Sequence, residues 1–266
     1  MNAVVARWDG FLAQVRERFV QLLGEASEGC PQLLDQAGGD PGPMSQAWHA
    51  IEQRLRDLAT KVEDTWHQAV DSAFEEAGAP PHVVHEQRAK GEALREWMAV
   101  ETERTRIRLL ADAGRALFGR AVAEMGRAFA CSACGAPLQV PFTLRAVNVP
   151  CTHCRTLNGF EPGMRVRMVE SFVHPLCEER AWNAWLGLRQ AESHRRAARP
   201  VTIAHLKGVE HAQLAYWHTY LSARVELLPD TRASFDADLR GRMRAFYDAM
   251  DREGPWVQAG RPRELA

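Results

Sequence analysis

The sequence lacks the features that would place it in several common classes of protein. Its formal net charge at pH 7 is −1, so no overall positive charge indicates a nucleic-acid partner. Only three of its 33 basic residues are lysine, an arginine bias that reflects genome composition better than selection for phosphate contacts. No apolar run approaches the roughly 18 residues of a membrane span. At the N-terminus, Arg7, Asp9 and Arg16 interrupt the apolar segment that a signal peptide would need. We therefore expect a cytoplasmic protein with no membrane partner.

Motifs of the common enzyme classes are also absent. The sequence contains no glycine-rich phosphate loop, nucleophile elbow, HExxH motif or recognisable catalytic triad. Two groups of histidines at helical spacing are candidates for a second metal site or a catalytic base: His82 and His85 with Glu86, and His211 and His218 with Glu210. Surface or packing roles explain both groups better, so we expect no enzyme activity. A helical enzyme with a pocket near His211 and His218 is a minor alternative.

Apolar residues at gaps of three and four predict a chain that is mainly α-helical. The predicted helices cover about residues 3–28, 44–77, 82–128, 164–199, 201–227 and 231–252. Segment 29–43 is rich in glycine and proline, which predicts a flexible loop. Residues 164–169 also fit a strand, but we favour a helix from Met164 with a kink at Pro175. The tail after residue 252 is expected to fray, and we find no internal repeat.

The second helix carries a seven-residue apolar pattern. Its repeating positions are Trp48, Leu55, Val62 and Ala69. Past Trp66 the apolar stripe drifts toward Val70 and Phe74. This drift favours a straight bundle helix over a long coiled coil.

Two cysteine pairs in the middle of the chain form the strongest motif. Cys131 and Cys134 make one Cys-x-x-Cys pair, and Cys151 and Cys154 make another after sixteen intervening residues. This spacing is typical of four thiolates around one zinc ion. Gly135 follows the first pair, where such a turn favours positive φ. A four-cysteine site leaves no position for water, so the motif predicts a structural zinc and not a catalytic one.

Residues 129–163 as a whole resemble a zinc ribbon. Short β-prone runs lie between the cysteine pairs and are separated by prolines. The resemblance to the zinc-ribbon superfamily covers about an eighth of the chain and implies a small β fold around Zn²⁺. It implies nothing about the activity of the whole protein. His153, inside the second pair, is an alternative ligand with poorer spacing.

A helical hairpin joined to a four-cysteine finger also resembles the secondary-channel regulators of bacterial RNA polymerase. Those proteins place the finger late in a shorter chain and carry acidic residues at the tip of the hairpin. In this sequence the finger is central, and only Asp35 and Asp40 are candidates for the acidic residues.

A cluster of basic residues at 189–207 is the second candidate site. Its members are Arg189, Arg195, Arg196, Arg199 and Lys207, opposed by Glu192. The cluster could hold nucleic acid or an acidic partner, although cations at the end of a helix also have a structural explanation. Phe142 and Phe160 of the ribbon could stack on bases, although filling the small ribbon core is the commoner role.

The sequence therefore predicts a mainly α protein, a long-helix bundle with an inserted small β zinc ribbon. We divide it into a helical segment 1–128, the ribbon 129–163 and a helical segment 164–266 that packs with the first. The favoured function is a non-enzymatic adaptor or assembly component that works through protein contacts. The alternative is a nucleic-acid or transcription-complex binding protein that uses the ribbon and the 189–207 cluster. The sequence leaves open whether the chain forms oligomers.

Overall fold

The computed structural model describes residues 1–125, 129–140 and 143–265, except for the side chain of Arg165. It is mainly α-helical with two small antiparallel sheets, so the predicted fold class is confirmed. The chain divides into two compact units, Met1–Ala116 and Leu117–Ala266. The ribbon belongs to the second unit, together with the C-terminal helices. Packing of the two helical parts into one body stays a prediction. None of the helices in the described part of the chain is long and apolar enough to cross a bilayer.

The first unit is built from long helices. Helix α1 is Asn2–Gln36, α2 is Pro41–Thr65, α3 is Asp71–Glu76, and α4 is Pro81–Met125, of which the part up to Ala116 belongs to this unit. A single π-helical turn, Trp66–Val70, joins α2 to α3. Helices α1 and α2 pack against each other, and their apolar stripes supply large buried side chains such as Trp8, Phe19, Met44 and Leu55.

The predicted flexible loop at 29–43 is wrong, because α1 continues through Pro31 to Gln36 and α2 begins at Pro41. An interior proline costs a helix about 3 kcal/mol. The apolar stripe of α1 nevertheless continues at helical spacing through Cys30 and Leu34, which are both buried. Burial of a leucine side chain contributes about 1.5–3 kcal/mol. Burial of the smaller Cys30 adds to this, so the two together offset the proline. The connection is only residues 37–40, and Asp40 caps α2 by accepting a hydrogen bond from Gly42 N at 2.9 Å.

The π-turn explains the drift in the apolar pattern of the second helix. A π-turn contains one more residue than an α-turn, so it moves the buried stripe by one position. Trp48, Leu55 and Val62 are buried as the seven-residue pattern predicts, but Ala69 is exposed. Val70 takes the place of Ala69 and is buried. The predicted drift toward Val70 is confirmed, whereas the predicted single helix 44–77 is interrupted by the π-turn.

The second unit contains the end of α4, four short strands and five further helices. Strand β1 (Phe129–Ala130) pairs with β2 (Pro137–Leu138), and β3 (Val147–Pro150) pairs with β4 (Leu157–Phe160). The helices are α5 (Met164–Arg180), α6 (Trp182–Ala197), α7 (Ile203–Leu227), α8 (Phe235–Met250) and α9 (Gly254–Gln258), with a 3₁₀ turn at Pro229–Ser234. Helix α7 contacts α5, α6 and α8 and so lies at the centre of this unit.

Segment 164–169 is helical, so the favoured prediction of a helix from Met164 is confirmed and the strand alternative is wrong. Val166, Val169 and Val173 lie on the inner side of α5 and are buried. The helix continues past Pro175 to Arg180. The single predicted helix is divided at Ala181 into α5 and α6.

The predicted fraying of the tail is also wrong. Helix α9 places Trp256 in a fully buried position. The Trp256 side chain belongs to a core cluster with Leu206, Met243 and Tyr247. An aromatic side chain of this size stabilises the tail through the apolar area that it removes from water.

Candidate metal centre

Each cysteine pair lies on the turn of one β-hairpin. Cys131 and Cys134 lie between β1 and β2, and Cys151 and Cys154 lie between β3 and β4. In the first turn, Cys131 N donates to Ala136 O at 2.8 Å, and Gly135 N donates to Cys131 O at 2.9 Å. Each turn therefore points its two thiols toward the same side.

The second turn has the same backbone bonds as the first. Cys151 N donates to Thr156 O, and Arg155 N donates to Cys151 O, both at 2.9 Å. The residue after each pair has positive φ, 72° at Gly135 and 65° at Arg155. The two turns are therefore copies of each other in backbone conformation, twenty residues apart in the sequence. The amino-acid sequence shows no internal repeat, but the two turns repeat each other in backbone conformation.

The four sulfurs meet at one point. All of them lie within 4.8 Å of one another. The Sγ atoms of Cys131 and Cys154 are 3.5 Å apart, and those of Cys134 and Cys151 are 3.7 Å apart. A metal bound tetrahedrally at the zinc–thiolate distance of about 2.3 Å sets sulfurs about 3.8 Å apart. The four predicted ligands thus have a spacing that fits one tetrahedral metal ion.

Hydrogen bonds from the chain support thiolates in this cluster. The backbone N–H groups of His153 and Cys154 donate to Cys151 Sγ at 3.4 and 3.5 Å. The backbone N–H of Ala133 is the main cause that lowers the pKa of Cys131 to about 6. N–H donors of this kind stabilise the charged form of a thiol, which is the form that binds metals.

The pKa of Cys134 moves the opposite way. The backbone N–H of Ala136 lowers this pKa, but the neighbouring thiols, Cys154 first among them, raise it to about 12. One thiol in the cluster therefore ionises readily while another resists, because thiolates so close together repel. A divalent cation would remove that repulsion and allow all four thiolates to form.

Asn158 is a residue of the site that the sequence analysis missed. It is buried, and its Oδ1 accepts hydrogen bonds from Ser132 N at 2.9 Å and Ser132 Oγ at 3.0 Å. Its Nδ2 donates to Thr156 O at 2.9 Å and to Cys131 Sγ at 3.6 Å. Asn158 thus ties the second hairpin to the first. Asn158 occupies the position in the second hairpin that Leu138 occupies in the first. A polar residue at a position that is apolar in the other hairpin was the one sequence signal of its role.

The alternative ligand His153 lies outside the cluster. The cluster found among the described residues contains the four cysteines only. His153 is exposed and contributes its backbone N–H. Phe160 contacts Phe129 edge to face at 5.3 Å within the ribbon, so it has a packing role. Phe142, the other aromatic predicted to stack on bases, lies outside the described residues.

Among the described residues, neither candidate group of histidines belongs to a cluster that could hold a metal ion. His82 and His85 are exposed on α4. His211 forms an ion pair with Glu264, whereas the ring of His218 lies edge to face against Phe235 at 5.4 Å.

Three cations of the 189–207 cluster lie on or beside α6 and have partners within the chain. Arg189 lies over the ring of Trp185 at 5.4 Å. Arg195 Nη1 pairs with Glu253 Oε1 at 3.1 Å. Arg199 Nη1 donates to two backbone carbonyls at 2.8 Å.

The other two cations of the cluster are also engaged. Arg196 lies 4.0 Å from Glu192. Lys207 Nζ is 2.5 Å from Glu210 Oε2 and lies over the ring of Trp256 at 5.4 Å. A phosphate would have to compete with these internal partners, so the geometry gives little support to a nucleic-acid interface.

Comparison with known proteins does not extend the assignment. No protein-family model matches the chain, and no curated protein or solved structure matches it either.

Proposed function

We propose that the four cysteines hold a structural zinc ion, and that the protein is a non-enzymatic adaptor or assembly component acting through protein contacts. The observation that carries this proposal is the closed cluster of Cys131, Cys134, Cys151 and Cys154. Soft thiolates in a tetrahedral arrangement suit zinc or iron, and zinc is the usual occupant of isolated four-cysteine sites. Four protein ligands leave no open position for a substrate or a water molecule.

The small core of the ribbon supports a structural role for the metal. Its buried apolar cluster consists of Cys131, Leu138 and Cys151, with a few half-buried neighbours. Such a core supplies little hydrophobic stabilisation. Metal binding would then supply free energy that stabilises the folded ribbon.

Exposed apolar side chains near the ribbon support contact with another protein. Leu157 on β4 is 62% exposed, and Met164 at the start of α5 is 75% exposed. Large apolar side chains in such positions suit a protein partner better than a phosphate backbone. The setting that we propose is the cytoplasm, where thiols stay reduced and free to bind metal.

The metal is tested by elemental analysis and native mass spectrometry of the full chain. We expect one zinc per chain, and loss of that zinc in Cys131→Ser with increased amide exchange confined to 129–160. Cys30→Ala is the control, because Cys30 is outside the cluster and belongs to the first unit. Full zinc content and unchanged exchange in Cys131→Ser, or iron in place of zinc, would overturn the assignment.

The adaptor role is tested by affinity purification of the tagged chain from its native host, with and without nuclease. We expect a defined protein that survives nuclease and is lost in Leu157→Glu. Val20→Glu is the matched control, because Val20 is 52% exposed and lies on α1. Recovery of RNA or DNA, or of proteins that nuclease removes, would favour the alternative of nucleic-acid binding.

A further inference from the structure

Residues 263–265, which follow α9, are held against α7 and α8 through their backbone. Glu264 N donates to Glu210 Oε1 at 2.9 Å, and Leu265 N donates to the Tyr247 hydroxyl at 3.1 Å. Glu210 is fully buried, and Tyr247 is 4% exposed. Two buried side chains therefore accept hydrogen bonds from consecutive residues, and each would lose a donor if this segment left without a replacement.

The side chains of the same segment also have partners on this surface. Arg263 Nη2 pairs with Asp251 Oδ2 at 2.6 Å, and the Glu264 carboxylate pairs with His211. Leu265 packs against the buried clusters of the second unit. We call the receiving surface the α7–α8 site. Its members are Lys207, Glu210, His211, Tyr247 and Asp251. The site matches a basic, an acidic and an apolar residue in that order.

The hinge that connects α9 to this segment, residues 259–262, is bent against the preference of its own residues. Arg261 N donates to Trp256 O at 3.0 Å, and Arg261 has a left-handed backbone with a φ of 53°. This conformation is unfavourable for a residue with a Cβ atom. Pro262 comes next, and a residue before proline favours extended backbone. The bend that brings the segment onto its own site is therefore strained at Arg261.

The same bend leaves a buried acceptor unsatisfied. Asp251 Oδ1 is buried and accepts no hydrogen bond from the described residues. Arg261 Nε lies 3.6 Å from it, which is too long for a hydrogen bond. A buried acceptor without a donor is costly. Residues 263–265 thus fit the site well, whereas the hinge does not.

Exchange of the segment between two copies of the chain would keep the good contacts and release the poor ones. A second copy carries the same residues 263–265, so its segment fits the same site. The contacts with the α7–α8 site are equal in the two arrangements, so the balance is between relief of the hinge and the entropy lost on association. The four hinge residues span about 13 Å when extended, so the segment can leave its own site while α9 stays in place.

We propose that residues 263–265 dock on the α7–α8 site of a second copy of this chain, and that two copies exchange their segments reciprocally. Each Arg263 then pairs with Asp251 of the other copy, each Glu264 N donates to Glu210 of the other copy, and the hinge straightens at Arg261. This pairing is separate from the metal centre and does not rest on the adaptor role.

The first test is the oligomeric state of the full chain by native mass spectrometry and light scattering over a range of concentrations. We expect a dimer with a dissociation constant of about 0.1–1 mM. Arg261→Gly relieves the strained hinge within the monomer, so it should weaken the dimer about tenfold. Arg261→Ala is the matched control, because it loses the same guanidinium but keeps a Cβ atom, and its dimer should stay stronger than that of Arg261→Gly. A chain that is monomeric throughout, or equal dimerisation of the two variants, would overturn the proposal.

Charge reversal tests the exchange directly. Asp251→Lys and Arg263→Glu each place like charges together, both within one copy and between identical copies, so each variant alone should be monomeric. Their mixture brings opposite charges together only between copies, so we expect a heterodimer in native mass spectrometry. Asp248→Lys is the control for Asp251→Lys, because Asp248 is exposed on α8. Its mixture with Arg263→Glu should give little heterodimer. No heterodimer in the first mixture, or as much in the second, would overturn the proposal.

Discussion

Asn158 Oδ1 accepts a hydrogen bond from Ser132 N at 2.9 Å, and this bond joins the two hairpins that carry the cysteines. The same side chain donates from Nδ2 to Cys131 Sγ at 3.6 Å. A buried amide with this many partners is expensive to replace, because each partner loses its bond at the same time. Asn158 is therefore a positioning residue for the metal centre that we propose.

Asn158→Leu should loosen the metal centre while leaving the four ligands intact. Leucine is the residue at the equivalent position of the first hairpin, so the shape is tolerable but the hydrogen bonds are lost. We expect a loss of about 1–3 kcal/mol and a correspondingly faster transfer of zinc to a chromogenic chelator. Asn148→Ala on β3 is the control, because Asn148 is exposed. Equal transfer rates in Asn158→Leu and the wild type would contradict the positioning role.

The equivalent turn residues Gly135 and Arg155 should respond oppositely to substitution. Both have positive φ, which glycine adopts freely and other residues adopt at a cost of about 1–2 kcal/mol. Gly135→Ala should destabilise the ribbon by about 1 kcal/mol. Arg155→Gly should stabilise the ribbon by up to about 1 kcal/mol. The gain is reduced by the greater conformational entropy that glycine gives the unfolded chain. Thermal unfolding of the zinc-loaded chain measures both, and a stabilising Gly135→Ala would contradict the argument.

The sequence was sufficient for the features that depend on spacing alone. The two Cys-x-x-Cys pairs predicted the cluster because each pair needs only a local tight turn. The cluster then forms when the two turns come together. The mainly α fold followed from apolar residues at gaps of three and four, which is a local property of each helix. Neither inference required knowledge of a distant contact.

Features that depend on tertiary contacts were missed. Pro31 predicted a break, but burial of Cys30 and Leu34 holds α1 together around it. Trp256 was placed in a frayed tail, because nothing local shows that α9 has a core to enter. The repeat of the two hairpins was hidden because their backbones match while few of their side chains do. Residues 126–128 and 141–142 lie outside the described part of the chain, so the predicted end of the third helix at 128 stays a prediction.

Glu210 should be more important to stability than a carboxylate in an ordinary surface ion pair. It is fully buried, and it accepts hydrogen bonds from Lys207 Nζ at 2.5 Å and from Glu264 N at 2.9 Å. Glu210→Ala leaves the ammonium and the backbone N–H without their acceptor, so we expect a loss of about 2–4 kcal/mol in urea unfolding. Glu226→Ala is the matched control, since the Glu226 side chain is 68% exposed. Its effect should stay below about 1 kcal/mol, and equal effects of the two variants would contradict the argument.

Cys177 should make the second unit less stable in alkaline solution. Burial raises the pKa of its thiol from the ordinary value of 9.0 to about 12. Burial likewise raises the pKa of Tyr220 on α7. Between pH 9.0 and about 12 the unfolded chain loses the Cys177 proton while the folded chain keeps it. The stabilisation is therefore complete below pH 9 and declines as the pH rises, with a slope of at most about 1.4 kcal/mol per pH unit for this one group.

Replacing Cys177 removes the contribution of its thiol to the decline of the free energy of unfolding with pH. Cys177→Ala should show a shallower decline of the free energy of unfolding above pH 9 than the wild type, although its stability at neutral pH is slightly lower because a buried atom is lost. The measurement is urea unfolding followed by tryptophan fluorescence at a series of pH values. Because the slopes are compared and not the absolute stabilities, the small packing defect does not affect the result. Parallel declines in Cys177→Ala and the wild type would show that the thiol is already ionised in the folded chain.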